Sequence, residues 1–279
     1  MPNLIEEGSE DMDYHSEWTR PVTSKQTLSF LRGSKDPNDE LHKKFAIGIQ
    51  LEQMAMQHAN DYAQEQGKGL VCERVQSKFY RPVPVDSDIT FKLTPGTVEP
   101  HKIVPTIDVH VGGEKAMTAT FHYTLPVAPQ EANSIGDDYP LKRDSAEQVA
   151  FGTGSTEPSY SFLAMSLVSC ALFQGGKDVI LAKMRDRKAP TYFGHTFNFS
   201  SDFYNLREGD AIRFQAAVQP IGDASKEKYC AEITATKAAN GQSGPLLYTA
   251  KLMIKFVKLD GFVAPEQQTA PQAKSAEVI

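Results

Sequence analysis

Ile49-Gln50-Leu51-Glu52-Gln53-Met54-Ala55-Met56-Gln57 lies at the centre of the stretch that decides the fold. Around it, residues 41 to about 66 carry Phe45, Ile47, Ile49, Leu51, Met54, Ala55, Ala59 and Tyr62, a broad apolar stripe at mostly helical spacing. Gln50, Glu52, Gln53, Gln57 and His58 fall between, several of them at the stripe's edge. Gly67-Lys68-Gly69 ends the helix as a C-terminal glycine does. The period then falls to two. Residues 70–80, 88–93, 103–111 and 116–125 alternate and are rich in Val and aromatics, with Gly112-Gly113 as a hairpin signal. One long helix followed by four antiparallel strands is the expected unit.

Working outward, Trp18-Thr19-Arg20-Pro21-Val22-Thr23 reads as an extended lead-in, and Thr23-Ser24-Lys25 opens a short helix around Leu28, Phe30 and Leu31. Gly33-Ser34-Lys35-Asp36-Pro37-Asn38-Asp39 is a turn cluster. Downstream, residues 127–157 hold Pro, Gly, Asp, Ser and Asn with little periodicity and read as a surface linker. The order then repeats. A second apolar helix runs through Ser161-Phe162-Leu163-Ala164-Met165-Ser166-Leu167-Val168-Ser169-Cys170, and strand patterns follow at 192–199, 211–218, 228–236 and 246–257. The expected plan is a disordered start (1–15), a first unit (16–126), the linker, a second unit (158–260) and a disordered tail (261–279). Val85-Asp86-Ser87-Asp88-Ile89-Thr90-Phe91 answers Arg207-Glu208-Gly209-Asp210-Ala211-Ile212-Arg213-Phe214, and Met117-Thr118-Ala119-Thr120-Phe121 answers Tyr248-Thr249-Ala250-Lys251-Leu252. Both matches fall in phase, so internal duplication is the first reading.

Bulk chemistry narrows the partners. A net charge of −6 and no Lys/Arg-rich run argue against nucleic acid, which needs a basic face. No window approaches eighteen consecutive apolar residues, and the acidic start lacks the pattern of a secretory signal, so a cytoplasmic protein without a membrane span is expected. Cys72, Cys170 and Cys230, odd in number and far apart in apolar stretches, read as buried free thiols. No His/Cys/Asp/Glu set has metal-ligand spacing and no phosphate loop is present, so no cofactor is expected.

A helix wrapped by the antiparallel sheet that follows it resembles the hotdog superfamily, and the duplication implies an α+β tandem double hotdog. Gln76-Ser77-Lys78-Phe79-Tyr80-Arg81-Pro82-Val83-Pro84-Val85-Asp86 resembles the hotdog strand in which an aromatic-Arg-Pro segment precedes a turn ending in Asp. Ile49 to Gln57 resembles the central helix of the 3-hydroxyacyl-carrier-protein dehydratases, where an apolar run leads into a glutamate and a Met-Ala pair. Tandem hotdogs of this length also resemble acyl-CoA thioesterases and two-domain enoyl-CoA hydratases. The resemblance implies a thioester, carried by CoA or an acyl carrier protein, lying between the two central helices. A monomer or a homo-oligomer is compatible with it.

Dehydration of a 3-hydroxyacyl thioester needs a base for the α-proton and an acid for the leaving hydroxyl. Glu52 is the candidate carboxylate and His42 the candidate imidazole, with Gln57 or His58 in support. In the dehydratases that this helix resembles, a histidine meets the glutamate of the other unit. Here the second helix has Ser166, Ser169 and Cys170 where a carboxylate would stand, and Gly154-Ser155-Thr156-Glu157 has no His, so that crossed pair is not assembled by carry-over. Asp36-Pro37-Asn38-Asp39-Glu40-Leu41-His42 resembles the hydratase motif of Asp, Asn and His after a Gly, with one residue too many before the His. The competing reading of this segment is a turn with an exposed His. Asp36, His58, Ser166, Ser169 and His195 are the candidate substrate contacts, although His195, read as beginning a strand, also fits a structural role. Dehydratase or hydratase chemistry in fatty-acid or polyketide-type metabolism is expected. A thioesterase using Glu52 as base or nucleophile is the alternative, and a non-catalytic acyl- or carrier-binding subunit is the third reading.

Overall fold

The chain enters through strand β1 (Glu17–Val22) and turns at Thr23 into helix α1 (Ser24–Ser34). Thr23 Oγ1 accepts from Gln26 N at 3.1 Å and Gln26 Oε1 accepts from Thr23 N at 2.9 Å, a reciprocal cap that satisfies two otherwise orphaned donors. The computed structural model describes residues 16–258 apart from 67–68, 129, 133–136, 187, 223–226 and 240–241. The two stretches expected to be disordered, 1–15 and 261–279, lie outside the described residues.

The helix expected over 41–66 is divided. A short turn α2 (Asp39–His42) precedes the central helix α3 (Gly48–Gln66). The backbone between them is drawn into pairing with the loop after the first strand of the unit: Phe45 bridges Pro84, and Ala46 N donates to Val83 O at 2.8 Å. Strands β2 (Val71–Phe79), β3 (Ser87–Thr94), β4 (Val98–Glu99), β5 (Lys102–Ile103), β6 (Thr106–Val111) and β7 (Glu114–Thr124) follow. The run expected at 103–111 splits at Val104-Pro105, because Val104 N turns away to Thr97 O at 3.0 Å. Gly112 and Gly113 take φ of 56° and 81°, the paired left-handed conformation of a tight hairpin turn.

Residues 127–157 are more structured than a linker. They hold strand β8 (Asp138–Pro140) and helix α4 (Arg143–Thr153). The buried positions of α4 are Ala146, Val149, Ala150, Gly152 and Thr153, so its apolar face has too few large side chains to register as a stripe. Small residues there allow close packing on α1. A Cβ on Gly33 would lie 2.7 Å from Ser145 O, and one on Gly152 would lie 2.5 Å from Phe30 Cβ. Helices α5 (Tyr160–Ser166) and α6 (Val168–Arg185) then lead to β9 (Lys188–Phe199), a 3-10 turn (Ser201–Asn205), β10 (Ala211–Pro220), β11 (Lys228–Ala239) and β12 (Gln242–Lys258).

All strands join one antiparallel sheet in the order β1-β3-β6-β7-β2-β9-β12-β11-β10-β8, with β4 and β5 at the side of β7. That order is a mirror about the β2–β9 pair. Either half runs first, fourth, third and second strand outward from the seam, and ends on a strand that leads into an eleven-residue helix. The turns before the second strands match in detail. Asp86, at φ 60°, and Gly209, at φ 84°, donate their N–H groups to Val22 O and Leu141 O at 2.7 and 3.1 Å. Helix α3 packs on β2, β6 and β7, and α6 packs on β9, β10 and β11.

Among the described residues, Tyr160–Arg185 has the length and apolar character of a membrane span, but 61% of its most apolar window is buried inside the fold, as in a core helix. The three cysteines are free; Cys72 is buried, while Cys170 and Cys230 are half-buried.

Candidate active site

Helix α3 is buried around far more of its circumference than its stripe suggests. Gln50, Glu52 and Gln53 have no exposed surface, which corrects the reading that put such residues at a solvated edge. A buried carboxylate must be hydrogen-bonded to persist, and Glu52 is. Ser77 Oγ of β2 donates to Oε1 in a short contact, and His195 Nδ1 of β9 lies 3.2 Å from Oε2. Ser77 and His195 are register partners across the β2–β9 seam, so the sheet brings together residues that are remote in sequence.

This arrangement fixes the imidazole. A carboxylate oxygen accepts, so Nδ1 carries a hydrogen, and in the neutral ring the lone pair is left on Nε2. Nε2 is buried and has no hydrogen-bond partner. Leaving such an acceptor unpaired costs about 1–3 kcal/mol, a cost that a substrate proton would relieve. Around the ring stand Tyr192, Phe79 and Phe197, with centroids 4.5, 4.8 and 6.1 Å away. His195 lies well inside β9, not at its start.

A second acid–imidazole pair sits in the loop after α1. Asp36, Asn38 and His42 are all buried, which corrects the exposed-turn reading of this segment. Asp36 Oδ1 accepts from Asn38 N at 2.9 Å, and His42 Nε2 faces Asp36 Oδ2 at 3.8 Å. His42 Nδ1 lies 3.1 Å from Phe45 O; a carbonyl only accepts, so Nδ1 again carries the hydrogen. Between Asn38 and His42 the chain makes the short helical turn α2, in which His42 N donates to Asn38 O at 3.2 Å. Asn38 Oδ1 is buried without a partner. Cys170 Sγ donates to Lys35 O at 3.1 Å beside this loop. Burial, then the charge of Asp36, pushes its thiol up to about 12, so it stays protonated at neutral pH.

The remaining candidates divide. Ser169 Oγ lies 3.4 Å from the Tyr192 hydroxyl, next to the Asp36 loop. Ser166 is spent inside α5, donating to Leu163 O at 2.8 Å. Gln57 and His58 do not support Glu52. Gln57 accepts from Arg20 at 3.3 Å and donates to Thr153 Oγ1 at 3.1 Å, while His58 stacks on Trp18 at 4.3 Å. Burial, reinforced by Arg20, pushes His58 down to about 4. Nor does His42 partner Glu52; each has its own counterpart. Ser77 and Tyr192 were not singled out from sequence. Ser77 carried a signal nonetheless, a small polar residue at an inward position of an alternating strand.

No protein-family model matches the chain, and no curated protein matches it. Solved structures do. A Lactobacillus plantarum protein described as an oleoyl thioesterase superposes with a TM-score of 0.58 at 9% identity, covering 88% of this chain and 97% of the other. A MaoC-like dehydratase gives 0.56 at 12%, covering 87% and 98%. An acyl-CoA thioesterase II from Mycobacterium marinum gives 0.55 at 9%, covering 88% and 95%. The chain therefore has an α+β fold of the hotdog type. At these identities the likeness carries the fold and no more.

Proposed function

We propose that the chain is a tandem double hotdog enzyme acting on acyl thioesters, and that it dehydrates 3-hydroxyacyl thioesters or hydrates the corresponding enoyl thioesters. The observation that carries this reading is the lone pair of His195 Nε2, buried, unpartnered and oriented from behind by Glu52. A carboxylate that holds an imidazole in one tautomer is the arrangement of a general base. Dehydration needs a second proton-transfer group, and the Asp36–His42 pair supplies it. In this assignment His195 takes the α-proton, with Glu52 stabilising the imidazolium. His42, held from behind by the bond from Nδ1 to Phe45 O, presents Nε2 beside Asp36 and from there protonates the hydroxyl that leaves as water. Hydration runs the same transfers backwards.

The resemblance of the central helix to the dehydratases implies a histidine meeting a glutamate of the other unit. The Glu52–His195 contact supports that pairing by a different route, with the imidazole delivered from a strand. Thioester hydrolysis with Glu52 as nucleophile is less well supported, since both of its oxygens are engaged by donors. The non-catalytic reading, drawn from the missing carboxylate on the second helix and the displaced His42, is less well supported once Glu52 has an imidazole partner in His195. A CoA or carrier-protein thioester in a cytoplasmic fatty-acid or polyketide-type pathway suits this chemistry.

Mass spectrometry of the products formed from a medium-chain 3-hydroxyacyl thioester tests the proposal. Loss of water from an intact thioester is the expected result. A free acid with a free thiol would replace the dehydratase reading by the thioesterase, and an unchanged thioester would leave the binding subunit.

A further inference from the structure

Strand β9 contains an irregularity that places a second aromatic side chain in the site. Against β12, Gly194 pairs with Met253 and Tyr192 pairs with Ile254, so Phe193 has no partner of its own. In regular pleating, residues three apart point to opposite faces. The extra residue resets the alternation, and Tyr192 comes onto the same face as His195, with ring centroids 4.5 Å apart. Bulges re-aim side chains in this way next to functional sites.

The re-aimed ring lies against the first acid–imidazole pair and within reach of the charge of the second. One edge touches His195, and the ring also lies against the start of α3, where a Cβ on Gly48 would come 3.6 Å from Tyr192 Cδ2. Its hydroxyl reaches Ser169 at 3.4 Å, on the side facing the Asp36 loop. Burial, then the nearby charge of Asp36, pushes the phenol above its ordinary value, so it remains a neutral O–H donor across the working range. As a residue Tyr192 is half-buried, whereas His195 and Asp36 are buried.

We infer that the Tyr192 hydroxyl is a catalytic hydrogen-bond donor to the thioester carbonyl oxygen, and that Ser169 is the positioning residue that aims it. This rests on the reading of the site as one for acyl thioesters. When the bond between the α-carbon and its hydrogen breaks, the proton passes to His195 Nε2 and the electron pair moves onto the carbonyl oxygen, giving an enolate. The enolate then expels the 3-hydroxyl, which leaves as water with the Nε2 proton of His42 in its imidazolium form, returning that ring to the neutral Nδ1–H state. A neutral donor at the carbonyl stabilises the charge in the middle of this sequence, when it is greatest.

The test is isotope-edited infrared spectroscopy of hexanoyl-pantetheine labelled with carbon-13 at the carbonyl, bound to the full chain. This saturated thioester cannot dehydrate, and its pantetheine arm is common to CoA and carrier proteins. The expected result is a carbonyl stretch lowered on binding to the wild type, restored toward the free position in Tyr192→Phe, and intermediate in Ser169→Ala. Tyr192→Phe should also lower kcat for a 3-hydroxyacyl thioester by about 10²-fold or more, with KM nearly unchanged. Packing alone would not produce that split, because the phenyl ring remains. An unshifted stretch in the wild type, or one equally shifted in Tyr192→Phe, overturns the inference. Release of hexanoate during the measurement would instead count against the dehydratase reading and leave the role of Tyr192 to be decided by the stretch.

Discussion

Glu52 and His195 stand 143 positions apart, on the central helix of one half and the first strand of the other, and His195 Nδ1 meets Glu52 Oε2 at 3.2 Å with neither side chain exposed. A pair so placed exists only when the two halves are joined at β2–β9, so the proposed chemistry depends on the seam itself.

Removing either partner should therefore disable the same device. Glu52→Gln and His195→Gln are each expected to lower kcat by about 10²–10⁴-fold on a 3-hydroxyacyl thioester, and the double variant should be little worse than the more damaging single one. Steady-state kinetics on the three variants checks this. Independent, multiplying losses would show that the two residues do not act together.

The Asp36–His42 pair should be separable from the first. His42→Ala and Asp36→Asn are expected to cut turnover by about 10²-fold or more while leaving the binding of a saturated acyl thioester within a few-fold of wild type. Calorimetric titration beside the kinetics distinguishes this from a structural role, in which affinity, melting temperature and rate would all fall together.

A tripled polar burial at Gln50, Glu52 and Gln53 was not legible from the apolar pattern, which assumes that helix faces sort by polarity. The element order, the hairpin at Gly112-Gly113 and the in-phase turns at Asp86 and Gly209 were legible, because they depend on local period and backbone conformation. Helix α4 was not, since its buried face is built of small residues that pack by close approach. His195 was a candidate, but its contact with Glu52 was not legible, for a different reason. Register across β2–β9 is a long-range property, and nothing near Gly194 in sequence points to Ser77 or Glu52. The Phe193 bulge hid Tyr192 in the same way, by breaking the alternation on which a strand reading relies.

Acid should weaken the fold partly through His58. Its folded value is pushed down to about 4 against an ordinary 6.5, so between those limits the unfolded chain binds more protons than the native one. Stability from this group is fully present above about pH 6.5 and is lost progressively as pH falls toward 4. His58→Phe keeps a ring against Trp18 and removes the titration. Urea midpoints measured from pH 7.5 to 4.5 should fall less steeply for the variant; parallel curves would rule the contribution out.

Gly152→Ala should destabilise the chain, although alanine is ordinarily the better helix residue by about 0.5–1 kcal/mol. The added Cβ would lie 2.5 Å from Phe30 Cβ, 2.9 Å from Phe30 Cα and 3.0 Å from Gln26 O, and backbone atoms cannot step aside as a side-chain tip can. Helices α1 and α4 would have to separate, at an overpacking cost of about 1–3 kcal/mol. The effect should reach the site. Gly152 O accepts from Gln50 Nε2 at 2.7 Å, and Gln50 lies two positions before Glu52 on α3. A lowered urea midpoint together with reduced kcat is the expected pair of results. A midpoint at or above the wild-type value would mean that the α1–α4 contact yields without strain, and that the small residues of α4 are not what sets its distance from α1.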